Sequence, residues 1–143
     1  MISTKGRYAL RAMIDIAKHQ ESGYVSIKDI SAREEISVKY LEQVISLMVK
    51  YGFLTSLRGN NGGYKLTKSA KSITAGDVLR AAEGTLAPIN CLSTPTNECP
   101  KKNSCTTLEF WTGLDKVINN YVDSYTLQDL ADKYTYDGGE YYI

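Results

Sequence analysis

The chain has 143 residues, 43% of them hydrophobic and 23% charged, with a net charge of +1. That length suits one ordinary globular core, and no apolar run approaches the roughly 20 residues that span a bilayer. The N-terminal MISTKGRYALRAM also lacks the apolar stretch of a secretory signal, so a membrane role is excluded and a cytoplasmic location is expected.

Charge is unevenly spread. Residues 1–84 carry thirteen Lys or Arg against eight Asp or Glu, and residues 85–143 carry four against eight. A basic front and an acidic back direct a polyanion to the N-terminal part.

In chain order, Lys5 to Gln20 is predicted helical. Tyr8, Ala9, Ala12, Met13, Ile16 and Ala17 follow the three–four spacing of one helical face, and Ser3 or Thr4 stands where a cap belongs. ESGY interrupts the pattern at Ser22 and Gly23. Two short helices follow. Ser26 is placed to cap IKDISAREE, with Asp29 as a capping-box partner and Ile27, Ile30 and Ala32 as a small apolar face. Ser37 is placed to cap VKYLEQVISLMVKYG, whose stripe is Leu41, Val44, Ile45, Met48 and Val49 and whose stop is Gly52. Two helices joined by EEI have the layout of a helix-turn-helix.

FLTSLR and YKLTK flank GNNGG, a Gly/Asn-rich centre between strand-like runs, which predicts a hairpin. Leu54 and Leu57 break strict alternation, which leaves room for a bulge or twist there. A hairpin directly after a helix-turn-helix is a wing. Thr74, with Asp77, is placed to cap AGDVLRAAEG. Pro88, Pro95 and Pro100 then punctuate a loop. A longer helix from Thr106 or Thr107 carries a wide stripe of Phe110, Trp111, Leu114, Val117, Ile118, Tyr121 and Val122. Thr126 caps a last short helix, LQDLADK, and the tail YTYDGGEYYI is rich in Tyr and Gly. The expected fold is mainly α with a small β-hairpin wing (α+β). Residues 1–84 form a winged helix-turn-helix, 85–106 a cysteine-containing sensor loop, and 107–143 a long helix and tail.

A helix-turn-helix sets the start of its second helix against base edges in the major groove. Those residues are Ser37, Lys39, Tyr40, Glu42 and Gln43. Gln pairs with adenine, Glu accepts from a cytosine amino group, and Lys reaches guanine or phosphate. Arg58, at the tip of a slim Gly/Asn wing, suits a narrow minor groove. Lys5, Arg7, Lys28, Lys65, Lys68 and Lys71 are placed to neutralise phosphates of double-stranded DNA. An enzyme is not expected. RGNNGGY lies between strands rather than opening a helix, and one histidine, His19, far from the cysteines in sequence and expected to be a solvated surface residue, supports no hydrolase.

All three cysteines, Cys91, Cys99 and Cys105, lie in the loop CLSTPTNECPKKNSC. In a reducing compartment such spacing reads as metal-binding or redox-active. Soft thiolates suit iron–sulfur or zinc. A Cys99–Cys105 disulfide, promoted by Lys101 and Lys102, is the thiol-switch alternative.

STKGRYALRAM, KYLEQVISLMVKYGFLTSLRGNNGGYKL, ITAGDVLRAAEG and the cysteine loop followed by LEFW together resemble the Rrf-two family of bacterial winged-helix regulators over nearly the whole chain. The resemblance implies a homodimer reading a palindromic operator. Its long C-terminal helices would cross, placing Phe110, Trp111, Leu114, Val117, Ile118 and Tyr121 in the interface. It further implies an iron–sulfur cluster on Cys91, Cys99 and Cys105, with a 2Fe–2S form favoured over 4Fe–4S and with loss expected on aerobic handling. Two departures stand out. The gap between Cys91 and Cys99 is seven residues, slightly longer than in the best-known cluster-binding members. The position three after the last cysteine, a histidine in those members, is Leu108, so the fourth ligand stays open, with Glu109 or a residue from elsewhere, including the other subunit, as candidates. The stretches AEGTLAPI and GGEYYI look closest to the family's cysteine-metabolism branch, which typically lacks the three cysteines and senses cysteine status through a cysteine-synthesis enzyme. The resemblance therefore implies a regulator, a repressor by expectation, controlled by a cluster or by that alternative.

Overall fold

A computed structural model describes residues 1–133; the tail YTYDGGEYYI lies outside the described residues. Helix α1 spans Thr4–His19, α2 Ile27–Glu34 and α3 Val38–Lys50; strands β1 and β2 span Leu54–Leu57 and Gly63–Leu66; α4 spans Ala75–Glu83, α5 Leu108–Asp123 and α6 Leu127–Asp132. The fold is a winged helix, α+β, with two antiparallel strands.

Helix starts are set by hydroxyl caps. Ser3 accepts from the Lys5 amide, Ser26 from Asp29 and Ser37 from Tyr40. Reciprocal capping boxes form at Thr74–Asp77 and Thr126–Asp129. At Ser26 the cap is the serine's alone, so the expected Asp29 box is only half made. Between α2 and α3, Glu35 takes the left-handed conformation at φ 56° and turns the chain within three residues.

The core gathers Ala9, Ala12, Met13 and Ile16 of α1, Ile30 of α2, Leu41, Val44, Ile45 and Met48 of α3, and Leu54, Leu66, Ile73, Val78 and Leu127. Val49, expected on the α3 stripe, is exposed instead; it lies on the outer edge of the helix, past the arc that faces α1.

The strands pair Leu54 with Leu66 and Leu57 with Gly63 without a bulge. Leu54 is buried and Leu57 exposed because an odd separation puts them on opposite faces of a regular strand. Tyr64 also exchanges both backbone hydrogen bonds with Val25, at 2.8 and 2.9 Å, which fastens the wing to the chain entering α2. The glycine pair of the wing is required by space. A Cβ on Gly62 would stand 2.1 Å from the Leu57 carbonyl oxygen, and one on Gly63, at φ 152°, 2.2 Å from that of Val25.

Buried charge ties the helices together. Asp15 of α1 is 2% exposed. It accepts from Arg33 Nε at 2.9 Å and Nη2 at 2.8 Å, so α2 is held by a two-pronged ion pair. His19 is partly solvated, and its Nδ1 sits 2.8 Å from the Asp15 carbonyl oxygen.

Candidate DNA-reading surface and cysteine loop

The first two turns of α3 present an exposed arc. Lys39, Glu42, Gln43 and, on the third turn, Ser46 point outward, with Val38 at the edge of the arc beside Glu42. The other two expected readers, Ser37 and Tyr40, also make contacts within the fold. The Ser37 hydroxyl is engaged in capping α3, 3.2 Å from the Tyr40 amide. The Tyr40 ring is half-buried, edge-on to Tyr8 at 5.3 Å, because the side chain falls on the inward side of α3. The sequence reading passed over Ser46, which a count of seven from Lys39 places on the same outward arc.

Arg58 is exposed at the wing. With Lys28 and Ser26 it lines a concavity of about 560 Å³ between the wing and the start of α2. Lys5 and Arg7 are exposed on the first turn of α1. Lys65 is half-buried with its ammonium 5.2 Å from the Tyr24 ring, and Lys68 sits 5.6 Å from the Phe53 ring. Lys71 is exposed.

One carboxylate passed over in the sequence, Glu83, ties the start of α1 to the end of α4. Glu83, at the end of α4, accepts from the Ser3 amide at 2.7 Å, the Ser3 hydroxyl and the Gly6 amide at 3.0 Å. Burial pushes its carboxyl up, and the hydrogen bonds from Ser3 and Gly6 outweigh this and hold it below the ordinary carboxylate range. A negative charge at the α1 N-terminus also complements the helix dipole. Gly6 leaves the needed space, since a Cβ there would be 2.3 Å from Glu83 Oε2.

In the cysteine loop the described backbone hydrogen bonds are short-range: Leu92 to Ile89, Ser93 to Asn90, Lys102 to Cys99 and Ser104 to Lys101. Cys91 and Cys99 are half-buried and Cys105 exposed, all with free thiols. Among the described residues no three His, Cys, Asp or Glu side chains stand together as a metal site. The Cys105 thiol lies just ahead of α5. Its Sγ is 3.6 Å from the Thr107 hydroxyl, and that contact, with the Thr107 and Leu108 amides, lowers its pKa. Cys105 and Glu109 line one concavity of about 550 Å³ with Leu108 and Thr112. The donor chemistry, three thiols with one biased toward thiolate, fits an iron–sulfur cluster.

Helix α5 buries none of its residues. Phe110, Val117 and Tyr121 are 66%, 64% and 63% exposed, while Trp111, Leu114, Ile118 and Val122 are half-buried. None of the described helices is long and apolar enough to cross a membrane.

A family model described as "Iron-dependent Transcriptional regulator", Rrf2, matches residues 2–133. The HTH-type transcriptional regulator CymR of Bacillus subtilis is 40% identical over 139 residues, 97% of this chain and 93% of that protein. The HTH-type transcriptional regulator IscR of Yersinia pseudotuberculosis is 38% identical over 130 residues, 91% of this chain and 78% of that protein. The solved structure of CymR, the global cysteine regulator of B. subtilis, superposes with a TM-score of 0.75 at 39% identity, covering 92% of this chain and 96% of that one. These relatives are transcriptional regulators and not enzymes. A winged helix, an outward polar arc on α3 and likeness of this extent to both regulators lead to one conclusion: the chain belongs to the Rrf2 family and is a transcriptional regulator of the IscR and CymR type.

Proposed function

We propose that the chain is a homodimeric repressor that reads a palindromic operator, with its affinity set by an iron–sulfur cluster on Cys91, Cys99 and Cys105. The observation that carries the DNA half is the joint placement of the α3 arc and the wing. Lys39, Glu42 and Gln43 face outward, and the wing bearing Arg58 is locked to the same body through the Val25–Tyr64 bridge. Lys39, Glu42 and Gln43 read base edges in the major groove, Arg58 enters the minor groove, and Lys5, Arg7 and Lys28 meet phosphates.

The dimer follows from α5. Phe110, Leu114, Val117 and Tyr121 recur at four, three and four residues, the spacing of a helix-pairing seam. A second copy covers this face, and residues 107–133 act as the assembly arm of the winged domain of residues 1–84.

The loop of residues 85–106 is the sensor. Cys91, Cys99 and Cys105 would hold the cluster, with Glu109 the candidate fourth ligand. A bound cluster supplies redox and oxidant sensitivity. The chain's own contribution is mechanical: gathering the three thiols orders the loop and biases α5 against α4. A ligand shifts such an equilibrium only by its differential affinity for the two arrangements.

The test is absorption, iron, sulfide and operator binding on protein purified without oxygen. Visible charge-transfer bands with matched iron and sulfide, and an operator affinity that changes on their loss, support the proposal. A colourless, metal-free protein that binds its operator moves the sensor to the thiols. In that case a cysteine-synthesis enzyme is the partner to assay.

A further inference from the structure

Val38 is the first residue of α3 and is 37% exposed. Its neighbours Ser37 and Lys39 are exposed, as is Glu42 one turn on. Along α3 it therefore stands among exposed polar side chains and forms no apolar stripe with them. A β-branched residue adds nothing to helix propensity at this site, and its partial exposure limits what it adds to the core. Residues four apart on a helix lie side by side, about 5–6 Å between Cβ atoms, so Val38 and Glu42 address adjacent positions on whatever α3 faces.

The major groove offers one apolar feature that differs between base pairs, the 5-methyl group of thymine. We infer that Val38 is a specificity-determining residue that packs against a thymine methyl group beside the base read by Glu42. The inference rests on the proposed DNA-reading role of α3 and adds to it a hydrophobic element that polar readers cannot supply. A carboxylate at Glu42 accepts from a cytosine amino group, and an apolar contact at Val38 selects thymine over cytosine at the neighbouring step. Together they favour a half-site containing adjacent cytosine and thymine.

The experiment selects bound duplexes from a random pool with the full-length protein, then replaces each thymine of the enriched operator by uracil, which removes the methyl group and keeps the pairing. For the wild type, one position per half-site is expected to lose affinity about fourfold, the worth of one buried methyl group. For Val38→Ala the same replacement is expected to have no effect, while its affinity for the thymine operator is already about fourfold down. If every thymine tolerates uracil in the wild type, or if Val38→Ala keeps the full uracil penalty, the inference is overturned and the DNA-reading role stands. If no sequence is enriched at all, the DNA-reading role fails and takes the inference with it.

Discussion

Arg80 of α4 and Asp123 at the end of α5 form a clasp between the helix under the winged body and the sensor-side helix. Arg80 Nη1 donates to Asp123 Oδ1 at 3.0 Å, and the Thr74 hydroxyl donates to the same oxygen at 3.2 Å. The hydrogen bond to Arg80 holds the Asp123 carboxyl below its usual range. Gly76 makes room: a Cβ there would be 2.0 Å from Asp123 Oδ1 and 2.7 Å from Arg80 Nη1. Both charged side chains are about a third or more exposed, so their coupling in a double-mutant cycle is expected to be about 0.2–1 kcal/mol. Gly76→Ala should remove that coupling while leaving both partners present. A coupling that survives in the Gly76→Ala background would show that the pair does not depend on this close approach.

Glu83→Gln tests the other α4 carboxylate. Its folded pKa is lowered, so its contribution is present above the ordinary glutamate value, about 4.3, and is lost as pH falls through the folded value. The variant is expected to be less stable by about 1 kcal/mol at neutral pH, as for loss of a helix cap. That gap should close in strong acid. Urea unfolding of both proteins across the pH range checks it, and a gap independent of pH would remove the ionic part of the argument.

Gly63→Ala should release the wing from Val25, because the added Cβ meets the Val25 carbonyl at 2.2 Å and the backbone sits at φ 152°. A loss of about 1–3 kcal/mol is expected from a strained backbone of this kind. Hydrogen exchange at the Tyr64 amide, which donates to Val25, is expected to speed up selectively. Unchanged exchange there would mean that the wing is held by other contacts.

Arg58→Ala and Glu42→Ala are expected to separate affinity from specificity. The first should weaken binding to every duplex and reduce the salt slope by about one. The second should alter which operators are bound, by about 1–3 kcal/mol at the position concerned. A Glu42→Ala protein with unaltered sequence preference would take Glu42 out of base reading.

Thr107→Val should slow alkylation of Cys105 at neutral pH, because the Thr107 hydroxyl is the first cause of the lowered thiol pKa. Mass spectrometry after brief iodoacetamide treatment reads the effect at Cys105 itself. Equal labelling of both proteins would leave the amides ahead of α5 as the cause.

Much of this architecture was legible in the sequence because it is written in local signals. Ser37, Thr74 and Thr126 cap helices where their spacing to the next apolar run predicts, and Leu41, Val44, Ile45 and Met48 are buried as their periodicity demands. The same periodicity placed Lys39, Glu42 and Gln43 outward. What escaped was long-range. Glu83 reaches Ser3 across eighty residues, and Asp15 meets Arg33 across eighteen. No periodicity encodes such partnerships. Tyr40, named for its place at the start of α3, is half-buried with its ring edge-on to Tyr8, a contact between helices that no count along α3 encodes.

The short-range hydrogen bonding of the cysteine loop has a consequence for how its length can vary. With each backbone bond reaching back three residues, the spacer between Cys91 and Cys99 behaves as a tether. Closure entropy for a tether grows only with the logarithm of its length, about 0.6 kcal/mol per doubling. One extra residue in a seven-residue spacer therefore alters the free energy of gathering the thiols by a few tenths of a kcal/mol at most. A spacer one or two residues longer or shorter is therefore expected to gather the thiols of the proposed cluster almost equally well.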